Sequence, residues 1–511
     1  MKLRVRCLDL DAGGKTIAII NAEDARELGV HPLERIILKK GRQTLTVLVN
    51  ITSKSVMHGD IDVYSEVKEI MRLRDGDFIE VSPRPELASK QYIRKKIDGG
   101  ELSYKEIRTI IDDVIERNLS DLELSALVTA LHMHGMTLNE NLYFAKAFVE
   151  TSGERLKFPG IVVDKHGAGG VPGDKTTMIL VPIIAAAGLT IPKTSSRAIT
   201  DPAGTADRVE VLAPIILTPK NISEVVRKTK GCMIWGGSLR LAPADDLLIQ
   251  IEKPLSLDPL IVPSVLAKKK VVGSKYVIID LPMGPEAKMK TREDAEKLAQ
   301  TFIAVGRKLG MHVECVVTEA DQPIGRAIGP ALEAREALQA LMRPGEASRD
   351  LIDKAVSLAG ILLGLVKRGN RTKALKLLTS GKAEAKLREI IAAQGGNPKV
   401  MPHDIAVEKN SRQVNVKSSN TGHIAYISNR TLVQVAKLAG APKDKYAGIL
   451  LHKKLHDSVK KGELLYTIYA EKSAKLKQAT ALAKENSGYI IPTKQRKVVM
   501  EKIDHGVVKY E

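Results

Sequence analysis

Ile161-Val162-Val163-Asp164-Lys165-His166-Gly167-Ala168-Gly169-Gly170-Val171-Pro172-Gly173-Asp174-Lys175-Thr176-Thr177 runs from an apolar segment through a glycine-rich loop into a helix start. The first six residues read as a buried strand, and the apolar run from about Thr177 to Ala187 as a buried helix. A strand, a tight loop and a helix in that order are the repeating unit of an α/β fold with a largely parallel sheet. Glycines let backbone amides approach an anion, and a helix start adds partial positive charge. Lys165 offers a point charge, and Thr176 and Thr177 offer hydroxyl donors. The loop fits neither G-x-x-x-x-G-K-S/T nor G-x-G-x-x-G, which excludes a P-loop and a dinucleotide fingerprint. On its residues alone it reads equally as an anion site or as a turn needing positive φ.

Outward from this loop, Val277–Pro282 and Val313–Thr318 are further strands, so residues 158–240 plus about 275–410 form a large α/β lobe with a mainly parallel sheet. Upstream, Ser103–Glu106, Ser120–Glu123 and Thr137–Glu140 are three capping boxes followed by helical apolar spacing. They mark a small α-helical lobe over 87–152 plus about 242–272. Residues 1–84 form a β-rich N-terminal domain, with period-two alternation at Leu3–Cys7 and Leu45–Ile51 and a short helix over Ala22–Leu28 after Asn21. A faint internal echo, Leu28–Gly41 against Met71–Arg84, suggests two half-barrel repeats. From about 412 to 511 the chain turns β-rich again, as a C-terminal α+β domain. The fold class is multidomain α/β.

Composition narrows the function. Aromatic residues are only 3%, with one Trp, which leaves few stacking platforms for nucleic acid. The net charge of +19 is dispersed and reads first as a solvated, Lys-rich surface, whose basic field would also help collect phosphates. Cys7, Cys232 and Cys315 show no paired spacing, so neither a disulfide framework nor a zinc site is expected, and a cytoplasmic location fits. The longest apolar stretch, Met178–Ile191, contains Pro182 and Gly188 and is too short to span a bilayer. No metal site, nucleic-acid partner or membrane partner is expected.

A second loop, Thr194-Ser195-Ser196-Arg197-Ala198-Ile199-Thr200-Asp201-Pro202-Ala203-Gly204-Thr205-Ala206-Asp207, gathers hydroxyls around one arginine. Ser and Thr can donate to phosphate or sugar oxygens, and Arg197 can bind an oxyanion or serve an internal ion pair. Together with the first loop, Leu241–Asp245, Pro263–Lys269 and Asp321–Gly329, this stretch resembles the thymidine phosphorylase family of nucleoside phosphorylases, in order, through roughly residues 87–490. The extra N-terminal domain, the run Ser195–Thr200 and the stretch Leu255–Pro259 are similar to the archaeal branch of that family, the AMP phosphorylases.

The resemblance implies phosphorolysis of a nucleoside 5′-monophosphate (AMP, with CMP and UMP as further candidates) to free base and ribose 1,5-bisphosphate, with inorganic phosphate as a substrate and no cofactor. It implies phosphate binding by Lys165, Gly169, Gly170, Ser196 and Thr205. It implies nucleotide binding by Gly170, Ser196, Arg197, Ala198, Ile199, Thr200, Asp201, Thr205, Ser264 and Lys288. Asp258 is the implied proton donor, with His166 as a secondary candidate. By its residues alone Asp258 reads first as a cap on a helix beginning at Pro259, a common role of Asp before Pro. A homodimer or larger homo-oligomer through the N-terminal domain is also implied. This chain departs from thymidine phosphorylases at Gly167 and Ala168, where they have Ser and Thr, at the inserted Pro172, and at Asp201, where they have His. No counterpart of their pyrimidine-binding Arg appears in Ile249–Pro254, which argues against a thymidine-selective pocket. An anthranilate phosphoribosyltransferase, a structural relative, would need an acidic Mg²⁺ pair, and none stands in matching context.

Overall fold

Strict alternation shapes the first 84 residues. β1 (Lys2–Cys7), β2 (Ile17–Asn21), β3 (Arg35–Lys40), β4 (Gln43–Thr52), β5 (Asp60–Val63) and β6 (Phe78–Pro83) form a closed barrel in the order β1-β5-β2-β4-β3-β6. Leu3 and Val5, Ile36 and Leu38, and Val47 and Val49 are at most 2% exposed, so every second residue fills the barrel. β1 pairs parallel with β5 and antiparallel with β6, while β4 pairs parallel with β2 and antiparallel with β3. With α1 (Ala22–Leu28) and α2 (Ser65–Met71), this is a β-β-α-β unit used twice. The faint echo in the sequence falls on that repeat: each stretch leaves a helix at a left-handed residue, Gly29 or Arg72, and enters β3 or β6. Asn21 caps α1 by accepting from Glu23 N at 2.8 Å.

The structure, a computed structural model, describes residues 1–84, 87–153, 156–198, 201–239, 241–492, 503–504 and 507–508. It divides into two compact units, Met1–Ala147 with Leu247–Pro259 and Phe148–Asp246 with Leu260–Glu511. After the barrel come α3 (Ala88–Ile97), α4 (Tyr104–Ile115), α5 (Asp121–His134) and α6 (Leu138–Glu150). All three capping boxes form: Ser103 N, Ser120 N and Thr137 N donate to Glu106, Glu123 and Glu140 at 2.7, 2.6 and 2.9 Å. Ile107, Ile110, Ile111 and Val114 line the buried stripe of α4.

In the second unit, β7 (Val163–Gly167), β10 (Tyr276–Met283) and β11 (His312–Glu319) make a parallel sheet in the order β11-β10-β7. β8 (Ile191–Ser195) and β9 (Gly231–Trp235) pair in parallel, and a parallel bridge joins Val162 to Thr190. The sheet is thus the parallel one the strand–loop–helix pattern calls for. α7 (Thr176–Ala186), α8 (Thr205–Val209), α9 (Pro219–Thr229), α10 (Pro243–Leu255, of which Leu247 onward clusters with the first unit), α11 (Ile261–Val271), α12 (Arg292–Lys308), α13 (Pro330–Met342), α14 (Arg349–Leu365), α15 (Arg371–Thr379) and α16 (Lys382–Ala393) follow in chain order. Every residue of α7 from Thr176 to Ala185 is buried, which explains its unbroken apolar run. The sequence reading groups about 242–272 with the helical lobe, but only Leu247–Pro259 clusters there. α11 belongs to the second unit because Val271 and Val272 bury against Ile222, Val226 and Cys232.

The C-terminal region is α+β. β12 (Ala327–Ile328), β13 (Arg412–Lys417), β16 (Gly448–Leu451) and β18 (Leu464–Ala470) form an antiparallel sheet in the order β12-β16-β18-β13. Small pairs join β14 (Gly422–His423) to β17 (Ser458–Val459) and β15 (Tyr426–Ile427) to Tyr489–Ile490. α17 (Val407–Asn410) precedes the sheet, and α18 (Asn429–Ala439) and α19 (Ser473–Glu485) pack on it. The sequence reading starts this domain at 412, yet its sheet takes in Ala327–Ile328, whose backbone satisfies one edge of β16. Among the described residues no helix is long and apolar enough to cross a membrane.

Candidate functional site

The register of the parallel sheet sets Asp280 of β10 opposite Gly167 at the end of β7. Ala168 N donates to Asp280 O at 2.8 Å, pinning the start of the glycine-rich loop. Lys165, 3% exposed, holds its Nζ 3.3 Å from Asp280 Oδ2 and 3.8 Å from Asp174 Oδ2. Lys354 of α14 meets the same two oxygens at 3.1 and 3.5 Å. Thr318 donates to Asp280 Oδ1 at 2.6 Å. Two buried ammonium groups thus balance two carboxylates beneath the loop, the condition under which buried charges persist.

A second cluster lies on the neighbouring strand positions. Asp164, fully buried, sits 2.7 Å from Lys269 Nζ and 3.8 Å from Lys193 Nζ. Here two lysines share one carboxylate, and burial, with the charge of Lys269 added, pulls Lys193 well below its ordinary pKa. Burial together with Lys269, Lys193, Lys165 and Lys268 pulls half-buried His166 well below its ordinary value. His166 is therefore a neutral imidazole at pH 7, which weakens it as a proton donor.

The second loop folds back on itself around Asp207. The carboxylate accepts from Ala198 N at 2.7 Å and from Gly204 N at 2.8 Å, while Ala206 N reaches Ser196 O at 3.3 Å. Gly204 is needed because a Cβ there would stand 2.6 Å from Ala198 N. Arg197 donates to Glu210 at 2.7 and 2.9 Å and to Asp207 at 3.1 Å, with its guanidinium 5.3 Å from the Trp235 ring centre. Of the two roles its residue type allows, the internal ion pair is the one formed. Arg208 ties the two loops together through Asp174 O and Ala203 O, and its Nε lies 2.6 Å from Glu333. Asp201 lies against Gly170, where a Cβ would stand 2.6 Å from its Oδ2. Burial raises the Asp201 carboxyl above its ordinary pKa. Ser196 is exposed and Thr205, which opens α8, is half-buried. Ile199 and Thr200 lie outside the described residues.

Ser264, on α11, donates to Asp245 at 2.7 Å, and Lys268 Nζ lies 2.6 Å from the same carboxylate. Lys288 is exposed and borders the first loop: its Cβ is 3.4 Å from where a Cβ at Gly169 would stand. Asp258 lies in the Leu247–Pro259 segment of the first unit and is exposed, whereas the acid role calls for desolvation. It does not cap α11, whose N-cap is Leu260 and which has no side-chain cap bond.

Within the second unit Arg208 joins the two loops, Asp201 lies against Gly170 and Lys288 against Gly169, while Ser264 pairs with Asp245 on α10; Asp258 falls in the first unit. Sequence reasoning missed Asp280 and Lys354 as loop supports and Lys193 as a buried cation. A signal existed for two of them: a charged residue inside an apolar strand, as in Val277–Pro282 and Ile191–Ser195, rarely goes unpaired. Among the described residues no group of three His, Cys, Asp or Glu side chains is arranged to hold a metal ion.

Residues 90–152 match the helical bundle domain of a glycosyl transferase family, 159–384 match the a/b domain of that family, and 423–489 match the pyrimidine nucleoside phosphorylase C-terminal domain. The chain is 45% identical to an AMP phosphorylase of Thermofilum pendens, over 99% of this chain and 98% of that one. It is 42% identical to AMP phosphorylases of Methanococcus vannielii and Pyrococcus furiosus, covering 98% and 99% of this chain and 99% and 100% of theirs. Among solved structures, an anthranilate phosphoribosyltransferase from Thermus thermophilus aligns over 59% of this chain and 98% of its own at 18% identity, with a TM-score of 0.49.

Proposed function

The chain belongs to the AMP phosphorylase family, and from that membership we propose that it cleaves AMP with inorganic phosphate to adenine and ribose 1,5-bisphosphate. The observation that carries the reading is 42–45% identity to AMP phosphorylases over essentially the whole length. CMP and UMP are further candidate substrates.

In this reading phosphate rests on the Gly169 and Gly170 amides with Lys165, Ser196 and Thr205. Its oxygen forms a bond to C1′ as the C1′–N bond to the base breaks, through an oxocarbenium-like sugar. Asp258 gives the departing base its proton. Gly170, Ser196, Ala198, Ile199, Thr200, Asp201, Thr205, Ser264 and Lys288 hold the nucleotide. Arg197 contributes its backbone, because Glu210 and Asp207 hold its guanidinium. The balanced Lys165–Asp280–Lys354–Asp174 cluster supports the loop in the shape the anion needs, an ordering in advance that lowers the barrier. Phosphate is a substrate, and the reaction needs no further cofactor.

We read the N-terminal barrel as a self-association module, supported by Leu33, Met57 and Phe78, which stand 66%, 75% and 58% exposed. Sedimentation of the full chain beside a Met57→Glu/Phe78→Glu variant tests this, a smaller species in the variant being the expected result. Three free cysteines, Cys7, Cys232 and Cys315, support a reducing, cytoplasmic setting.

Phosphate-dependent base release from AMP, adenosine and thymidine tests the activity. Adenine from AMP with little from adenosine is expected. Turnover of thymidine alone would overturn the nucleotide reading.

A further inference from the structure

Lys288 rides on a tight turn that follows β10. Gly284 N donates to Met289 O and Ala287 N to Gly284 O, both at 3.1 Å, closing the mouth of the turn. Only glycine fits at 284, because a Cβ would stand 2.8 Å from Ala320 C and O. The tip of the turn is held from the C-terminal domain. Glu286 accepts from Ser428 Oγ at 2.9 and 3.2 Å and from Arg430 N at 2.8 Å. Ser428 is the N-cap of α18, and its Oγ accepts from Thr431 N at 3.1 Å. The Glu286 carboxylate therefore ends on the N-terminus of an 11-residue helix, where a hydroxyl, an amide and the helix dipole all favour negative charge. Asn429 Nδ2 donates to Ala320 O at 2.8 Å, fastening the strand end that flanks Gly284.

We propose that the C-terminal domain is part of the nucleotide-binding apparatus: through Glu286 on the start of α18 it sets the position of Lys288 beside the Gly169 loop. Glu286 is then a positioning residue, and the inference rests on the proposed contact of Lys288 with nucleotide. A turn fastened at mouth and tip presents its lysine in one place, whereas one fastened only at the mouth spreads it over several and weakens binding.

The test compares the full-length parent with Glu286→Gln, Lys288→Met and the double variant, varying AMP and phosphate independently. Glu286→Gln is expected to raise KM for AMP about tenfold, the scale of one charge-assisted hydrogen bond, and to leave KM for phosphate unchanged. Adding it to Lys288→Met is expected to raise KM no further, since both act through one side chain. Amide exchange is expected to quicken over residues 284–290 in Glu286→Gln, with the melting temperature held. An unchanged KM, an equal rise in both KM values, or full additivity with Lys288→Met would overturn the proposal. A parent that cleaves no nucleotide would sink the phosphorylase reading instead. Amide exchange would then decide the clamp alone: quickening confined to 284–290 sustains it, and unchanged exchange removes it.

Discussion

Lys354 Nζ lies 3.1 Å from Asp280 Oδ2, in a place where the carboxylate is fully buried and the lysine side chain 6% exposed. Lys165 approaches the same oxygen from the loop side at 3.3 Å. The helical half of the lobe thus reaches the base of the glycine-rich loop through one lysine shared by Asp280 and Asp174. Lys354→Met leaves Lys165 alone with the fully buried Asp280 and the half-buried Asp174. Breaking such a pair from one side costs about 3–5 kcal/mol, and the urea midpoint should fall accordingly. Lys354→Arg should recover most of the loss. An unchanged midpoint in Lys354→Met would mean that charge is not what holds the loop.

Acid should unmake the same cluster. Burial opposes ionisation of Asp174, but Lys354 and Lys165 overcome it and hold the carboxyl below its ordinary range. A carboxyl depressed on folding stabilises fully above the unfolded pKa, about 3.9, and loses that stabilisation as pH falls toward the folded value. Melting temperature should therefore drop steeply below about pH 4 in the parent. The drop should be shallower in Asp174→Asn.

Asp246 has the opposite sign. Burial, with Asp245 adding and Lys268 opposing, pushes its carboxyl up to about 6. A carboxyl raised on folding favours the folded state while protonated, so its contribution fades as pH rises from the unfolded value toward about 6. Asp246→Asn should remove that slope and leave the chain more stable than the parent above it. A parallel pair of melting curves against pH would refute the assignment.

Two glycines should differ in their tolerance of a methyl group. At Gly204 the obstructing atoms are backbone, Ala198 N and Arg197 C at 2.6 Å, and cannot turn aside. At Gly170 they belong to the Asp201 carboxylate. Gly204→Ala should cost about 1–3 kcal/mol, as overpacking does. Gly170→Ala should cost less stability but weaken phosphate binding, and titration calorimetry with inorganic phosphate separates the two effects.

Proton transfer to the base should depend on Asp258 and not on His166. General acids contribute about 10²–10⁴-fold, so kcat of Asp258→Asn should fall by that order. His166, held neutral by burial and four lysines, should lose less than about tenfold as Asn. Comparable losses in the two variants would move the proton donor to His166.

The features legible in the sequence are local. A capping box closes within three residues, an alternating strand shows its buried face in every second letter, and a glycine-rich turn between strand and helix carries its own geometry. Hence Ser103–Glu106, the alternation at Leu3–Cys7 and Leu45–Ile51, and the glycine-rich turn after Lys165 were legible in the sequence, and ordered motifs pointed to the family.

Which polar groups meet was set by the packing of distant elements. Lys354 finds Asp174 across 180 positions, Lys175 finds Glu336 across 161, and Glu286 finds Ser428 across 142. Arg197 had two chemically equal futures, an anion or a carboxylate pair, and the placement of α8 beside it supplied Glu210 and Asp207. No periodicity encodes such choices. A buried charge must find a counter-charge, but the partner's place in the chain is set by how strands and helices pack.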